Sequence, residues 1–115
     1  MDLRLKRAYE APARGDGHRI LVERLWPRGV KKEALALDLW LKDIAPSTAL
    51  RTWFAHEPAR FDGFIGRYHK ELEANAEAVA VLDEWLRKGR TTLVHAARDP
   101  EMNSARVLRD WLLAR

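Results

Sequence analysis

Two arginines flank a tryptophan in the segment VERLWPRG, residues 22–29, which directly follows an apolar run. These residues are Arg24, Trp26 and Arg28. A guanidinium group is planar and donates paired hydrogen bonds that match the oxygens of carboxylates and phosphates. The segment therefore predicts a site for a small anionic ligand, with Trp26 as an apolar wall beside it.

A second segment with suitable groups is AARDPEMN, residues 96–103, which joins an apolar run to a helical pattern. Backbone N–H groups at a helix N-terminus favour anions, and Arg98 and Asn103 would add side-chain donors. Asp99 followed by Pro100 also predicts ordinary capping of this helix, which explains the segment without a ligand. If its strand lies beside the one before VERLWPRG, both segments face one crevice at the carboxyl ends of the strands.

A third segment, APSTALR at residues 45–51, places Ser47 and Arg51 around another predicted helix start. Capping alone explains Ser47. Lys42 shares an extended face with Asp38, so it either joins the crevice or pairs with Asp38. The predicted ligand-binding residues are Arg24, Trp26, Arg28, Lys42, Ser47, Arg51, Arg98 and Asn103, and no catalytic residue is assigned.

Ion pairing within the protein is the alternative explanation for the charges in VERLWPRG. In an extended strand, Glu23 and Arg24 both lie among apolar neighbours. Burying an unpaired charge costs roughly several kcal/mol. Pairing of Arg24 with Asp38, or of Glu23 with Lys42, would remove that cost and hold the loop in place without any ligand.

Thiol and metal chemistry find no support in the sequence. The chain contains no cysteine, which excludes thiol catalysis, disulfides and cysteine-ligated metal centres. None of the histidines has the spacing of a known zinc motif, so we expect no metal and no cofactor. His95 lies in an apolar strand pattern, which is typical of a hydrogen-bonded core histidine rather than of a catalytic base.

Length and charge are those of a small single domain. The 115 residues suffice for one hydrophobic core, and 21 Lys and Arg against 17 Asp and Glu give a net charge of +4. No signal-peptide pattern and no apolar run of the roughly 20 residues that span a bilayer is present, so we expect a cytoplasmic location without membrane association. The positive charge makes a nucleic-acid-binding or regulatory module the alternative function, although the scattered arginines form no dense basic helix.

Hydrophobic periodicity predicts the elements that must position these residues. Residues 2–9 alternate as an edge or near-edge strand, residues 18–25 form a more central strand, and residues 91–97 form a later one. Between them, a short helical turn at 31–35 leads into alternating leucines that favour an extended strand, with a helix as the alternative.

The remaining patterns are helical. Ser47 is the predicted N-cap of a short helix, and Pro58 lies in the first turn of the next. A further helix ends at Gly89, and the last follows Asp99. The order β-β-(β)-α-α-α-β-α predicts a single α/β domain over residues 1–115. Its three- or four-stranded sheet, at least partly parallel, would be covered by about four helices.

Four segments carry a resemblance to a known family: RILVERLWPRG, LDLWLKDIAPSTALRTWF, FIGRYHKEL and TTLVHAARDPEMNSARVLRDWL. They resemble, in order and over essentially the whole chain, the YeaO-like branch of the domain-of-unknown-function family 488. The resemblance implies a small bacterial cytoplasmic α/β protein with no established activity, cofactor or substrate. Its motif residues fall on Arg24, Trp26, Pro27, Arg28, Gly29, Asp38, Trp40, Lys42, Pro46, Ser47, Leu50, Arg51 and Asn103.

Three positions depart from the pattern that the resemblance implies. Glu23 stands where aspartate is usual, Leu39 where an acidic residue is frequent, and Ser104 where a histidine often follows the asparagine. Ser104 cannot act as a general base at neutral pH, which argues against acid–base catalysis. Another branch of the family resembles phosphatase-like loops with a cysteine near this strand end, and this chain has none.

Overall fold

The computed structural model describes all 115 residues as an α/β fold around one sheet. The four strands are β1 (Leu3–Arg7), β2 (His18–Leu21), β3 (Leu39–Trp40) and β4 (Thr91–His95). Their order is β1-β4-β2-β3, and every neighbouring pair is parallel. The predicted fold class is confirmed, with β1 at one edge and the late strand β4 inserted beside β2.

Five α-helices cover this sheet. They are α1 (Lys32–Leu35), α2 (Thr48–Phe54), α3 (Phe61–Ala74), α4 (Ala76–Lys88) and α5 (Ser104–Ala114). Short 3-10 turns occupy Arg14–Asp16, Lys42–Ile44 and Pro58–Arg60. The predicted helical turn before β3 is present as α1, and the leucines after it are extended, as their alternation indicated. No helix has both the length and the apolar character needed to cross a membrane.

The core lies on both faces of the sheet because alternate strand residues point in opposite directions. On one face, Ile20 and Leu93 are fully buried in the larger cluster, beneath α3 and α5. On the other face, Leu21 and Val94 are buried against Leu35 of α1 in a smaller cluster. Burial on both faces explains why β2 and β4 read as continuous apolar runs rather than as alternating ones.

A buried polar group anchors the loop between β1 and β2. The Asp16 carboxylate accepts hydrogen bonds from Arg19 Nη1 at 2.7 Å and from Lys6 Nζ at 3.0 Å. Arg19 also donates from Nη2 to the Leu35 carbonyl at 2.8 Å. Desolvation raises the pKa of Asp16, but hydrogen bonds from the Ala13 N–H, Lys6 and Arg19 hold it below its ordinary value. These contacts fasten the loop and α1 to one face of the sheet.

The strands are shorter than predicted, and two of the changed boundaries bear on the site. The strand expected over residues 18–25 ends at Leu21, and pairing continues only to the Val22 N–H, which donates to Val94 O at 3.0 Å. The final helix is capped by Asn103, and the prediction that Asp99 caps it was wrong. The Asp99 carboxylate instead accepts from the Glu101 and Met102 N–H groups, which forms a local turn ahead of the helix.

Candidate functional site

A cavity of about 680 Å³ opens where the chain leaves β2 and β4 at their carboxyl ends. Residues after both strands, α2, α3 and the first residues of α5 form its walls. Phe54, Phe64 and Met102 supply apolar surface, and the rings of Phe54 and Phe64 stack with centroids 4.7 Å apart. The charged and titratable residues of the wall are Glu23, Arg51, His56, Arg98 and Asp99. Open parallel sheets usually bind ligands at this end of the strands.

Glu23 lies in the wall of this cavity, just after β2. Its Oε1 accepts a hydrogen bond from the Ala96 N–H at 3.4 Å, which links the chain after β2 to the chain after β4. Burial raises the pKa of this carboxyl, against opposing effects of the Ala96 hydrogen bond and the charge of Arg51. A strand residue at this position would point into the opposite core. The strand has already ended, so Glu23 can turn towards the cavity.

Arg51 and Arg98 are the two cationic side chains of constant charge in the wall. Both residues are exposed, and neither forms an ion pair within the protein. Arg51 belongs to α2, whereas Arg98 follows β4, so the two guanidinium groups come from different elements. They are therefore available to an anion that enters between these elements.

Asn103 joins the cavity wall to the start of α5. It is only 5% exposed, and its Oδ1 accepts from the Arg106 N–H at 2.8 Å as the N-cap of the helix. Its Nδ2 donates to Asp99 O at 2.8 Å. Both ends of the side-chain amide are thus bound to the protein backbone, so Asn103 shapes the wall and holds the loop that carries Arg98.

The chain after α2 takes an unusual course at the cavity wall. Ala55 and His56 follow one another with φ of 49° and 56°, in the left-handed region. This conformation costs about 1–2 kcal/mol for a residue with a side chain. It ends α2 abruptly and leaves His56 exposed in the cavity wall, with its ring 6.0 Å from that of Phe54.

Arg24 and Ser47 lie next to the cavity, but their side chains form hydrogen bonds within the protein. Arg24 donates from Nη2 to Ala45 O at 2.9 Å and from Nε to Pro46 O at 3.2 Å. Ser47 caps α2, accepting from the Leu50 N–H at 3.1 Å. Arg24 therefore holds the backbone ahead of α2, and Ser47 begins that helix.

Trp26, Arg28 and Lys42 do not line the cavity. Trp26 donates from Nε1 to Val30 O at 2.7 Å and packs edge-on against Trp40, beside the smaller core cluster. Arg28 is exposed, and only its carbonyl is bound, by the Tyr9 hydroxyl at 3.2 Å. Lys42 places its Nζ 4.1 Å from the centroid of the Trp40 ring. Of the eight predicted residues, the structure brings Arg51, Arg98 and Asn103 together in the cavity.

The ion pairs considered as alternatives are wrong. Arg24 forms no pair with Asp38, and Glu23 forms none with Lys42. The Asp38 carboxylate instead accepts from the Arg19 backbone N–H at 2.8 Å, next to β2. The partners of Glu23 and Arg24 are backbone groups, which are not visible in the types of neighbouring residues.

Sequence reasoning left Glu23 and His56 out of the predicted site. The signal for Glu23 was present, since a carboxylate directly after a buried apolar strand needs either solvent or a partner. No signal pointed to His56, because its place depends on the left-handed turn after α2. Phe54 and Phe64 fall in segments with a helical pattern, where apolar residues predict core packing rather than a cavity wall.

A second concavity, of about 560 Å³, lies between α3 and α5. Its walls are mainly apolar and include Phe61, Ile65 and Trp111. The charges at its rim compensate one another, since Arg106 pairs with Glu101 and lies 3.9 Å from the Asp110 carboxylate. It offers no free charge comparable with Arg51 and Arg98.

The sequence of the chain matches the model of a known protein family. The family model described as the inactive DUF488-N3 subclade matches residues 2–115. The chain belongs to this family. This membership confirms the resemblance found in the sequence motifs. The chain has no cysteine and carries Ser104 after Asn103, which fits a subclade described as inactive.

Relatives match nearly the whole length of the chain. The chain is 43% identical to YeaO, an uncharacterised protein of Escherichia coli, over 97% of both chains. It is 41% identical to uncharacterised proteins of Mycobacterium bovis and Mycobacterium tuberculosis, over 98% of this chain and 95% of theirs. No solved structure matches the chain.

Proposed function

We propose that this protein binds a small phosphate- or carboxylate-bearing molecule in the cavity at the carboxyl ends of β2 and β4, without turning it over. The observation that carries the proposal is the pair formed by Arg51 and Arg98. Both line the cavity, come from different elements and form no ion pair with the protein. Arg19, by contrast, is buried and paired with Asp16, so it is not available to a ligand.

Binding rather than catalysis fits the remaining groups of the wall. No cysteine is available as a nucleophile, and the Asn103 amide is bound at both ends. The subclade to which the chain belongs is described as inactive. A protein with this cavity and without a reactive group would act as a binding module. Its relatives are bacterial, and the cytoplasm is the location that we propose.

Thermal unfolding with a panel of anions tests the proposal. The panel contains inorganic phosphate, sulfate, short carboxylates, nucleotides and short oligonucleotides at constant ionic strength, with wild type, Arg51→Gln and Arg98→Gln. An anion at about 100 times its Kd adds about 2.7 kcal/mol to the wild type. Each cavity variant should lose about half of this gain or more, because one charge-assisted contact is missing and the anion binds at least about tenfold more weakly.

Arg28→Gln is the matched control, since it removes one exposed positive charge outside the cavity. It should respond to the anion as the wild type does. Equal loss in all three variants would show that only the net charge matters, which contradicts a site at the cavity. Stabilisation by oligonucleotides alone, weakening steeply with salt, would replace the proposal with nucleic-acid binding.

A further inference from the structure

We infer that the molecule bound in this cavity is a small zwitterion, with a protonated amine that faces Glu23 and an anionic group that faces Arg51 and Arg98. This inference rests on the proposed anion site and specifies its ligand. It starts from Glu23, a half-buried carboxylate in the same wall as Arg51 and Arg98. The other carboxylate of the wall, Asp99, is exposed and accepts two backbone N–H groups, whereas Glu23 opposes a purely anionic ligand.

The carboxylate of Glu23 has unused capacity for hydrogen bonds. It accepts one long bond, from the Ala96 N–H at 3.4 Å to Oε1. An ionised carboxylate has two oxygens and room for about four donors. Oε2 receives none from the protein, and neither Arg51 nor Arg98 approaches Glu23 within the 4.0 Å of an ion pair. A donor supplied by the ligand would complete this group.

Glu23 and Arg51 carry opposite charges in the same wall but form no ion pair. Arg51 is close enough to lower the pKa of Glu23 through its charge, but the desolvation of the carboxyl outweighs it. A purely anionic ligand would add repulsion from Glu23 to that desolvation. A ligand with both signs of charge is attracted at both ends and leaves no buried charge without a partner.

The walls indicate what accompanies the charged groups of the ligand. Phe54, Phe64 and Met102 give the cavity an apolar side. An apolar or aromatic part of the ligand would lie against them, next to the charged groups. Amino acids and amine-bearing phosphate esters both meet this description, so the experiment includes one of each.

Isothermal titration at pH 7 with two matched pairs of compounds tests the inference. Phosphoethanolamine is compared with ethyl phosphate, and phenylalanine with 3-phenylpropionate. Within each pair only one compound carries the amine. In at least one pair the amine compound should bind the wild type about tenfold more tightly, the effect of one charge-assisted hydrogen bond.

Glu23→Gln should reduce this preference to less than about threefold, since the amide retains the shape of the side chain and an acceptor for the Ala96 N–H but loses the charge. Equal binding of both members of both pairs to the wild type would overturn the inference and leave the anion site standing. This comparison needs no variant, so it decides even if Glu23→Gln does not fold. If neither these compounds nor the anion panel binds, the anion site and the inference fail together.

Discussion

The Ser47 hydroxyl donates to one carboxylate oxygen of Glu71 at 2.6 Å, and the Ser47 backbone N–H donates to the other at 2.8 Å. The two residues thereby fasten the start of α2 to the last turn of α3. The hydroxyl can donate only one hydrogen bond, and the Glu71 carboxylate accepts it. Ser47 consequently has no side-chain donor left for an anion, although the sequence pattern around the helix start made it a candidate.

Ser47→Ala should lower the free energy of unfolding by about 1–2 kcal/mol, because it removes both the cap and the bond to Glu71. Urea unfolding measures this loss. The affinity of the cavity for an anion should stay unchanged in titrations of the folded variant. Thr48→Ala, at an exposed neighbouring residue, is the control and should change stability by less than about 0.5 kcal/mol. A stable Ser47→Ala protein that no longer binds the anion would return Ser47 to the site.

Replacement of Arg24 should lower the free energy of unfolding more than replacement of Arg28 does. Arg24→Ala leaves the carbonyls of Ala45 and Pro46 without their donor, so it should destabilise by about 1–3 kcal/mol. Arg28→Ala removes an exposed side chain without a bond and should stay within about 0.5 kcal/mol of the wild type. Urea unfolding of both variants checks this contrast, and equal losses would contradict the hydrogen-bond roles described here.

Most of the fold could be predicted from the sequence because its elements have distinct periods. The alternating leucines predicted β3, and the helical pattern after Pro58 predicted α3, whose buried residues are Phe64, Tyr68 and Leu72. The crossover into β4 favoured parallel pairing, which the register confirms. The insertion of β4 between β1 and β2 was not predictable, since strand order depends on packing between residues far apart in the chain.

The site was harder to predict than the fold, for a physical reason. Arg24, Arg51 and Arg98 look alike in sequence, and whether an arginine is free depends on nearby carbonyl groups. Carbonyl positions are set by tertiary structure and carry no residue signature. Glu23 reached the cavity because β2 ends earlier than its apolar pattern does. One shortened strand thus changed which charge belongs to the site.

The cap of α5 provides a direct test of the corrected helix start. Asn103→Ala should cost about 1–2 kcal/mol, since the Arg106 N–H loses its acceptor and Asp99 O loses its donor. Asn103→Asp keeps the acceptor and should retain part of this stability. Asp99→Ala removes only the turn to Glu101 and Met102. A larger loss for Asp99→Ala than for Asn103→Ala, in urea unfolding, would favour the original prediction that Asp99 caps the helix.

His95 should make stability fall on mild acidification. Burial and the charge of Arg7 lower its pKa below the ordinary value of 6.5, with Glu10 opposing them, and its Nδ1 accepts from the Ala97 N–H at 3.1 Å. A histidine with a lowered folded pKa contributes stability above pH 6.5, which is lost as the pH falls through the folded pKa. In His95→Asn, the amide oxygen can accept the same N–H without titrating. The stability advantage of the wild type over this variant should therefore shrink from pH 7 to pH 5, followed by urea unfolding across that range.

Glu23 should give the opposite dependence of stability on pH, so that a residue of the site also affects the stability of the fold. Burial raises its pKa above the ordinary value of 4.5 in the folded protein, against opposing effects of the Ala96 hydrogen bond and Arg51. The contribution of Glu23 to the free energy of unfolding is therefore fully present below pH 4.5 and is lost as the pH rises through the pKa of the folded protein.

Glu23→Gln does not titrate, so its melting temperature should exceed that of the wild type at pH 7 and match it near pH 4. A residue that lowers stability at the pH of function is expected where binding, rather than folding, requires the charge. Thermal unfolding of both proteins from pH 4 to pH 8, with Glu73→Gln as an exposed control on α3, measures the difference. A lower melting temperature for Glu23→Gln at pH 7 would mean that Arg51 and Ala96 already satisfy the carboxylate. The zwitterion inference would then lose its main support.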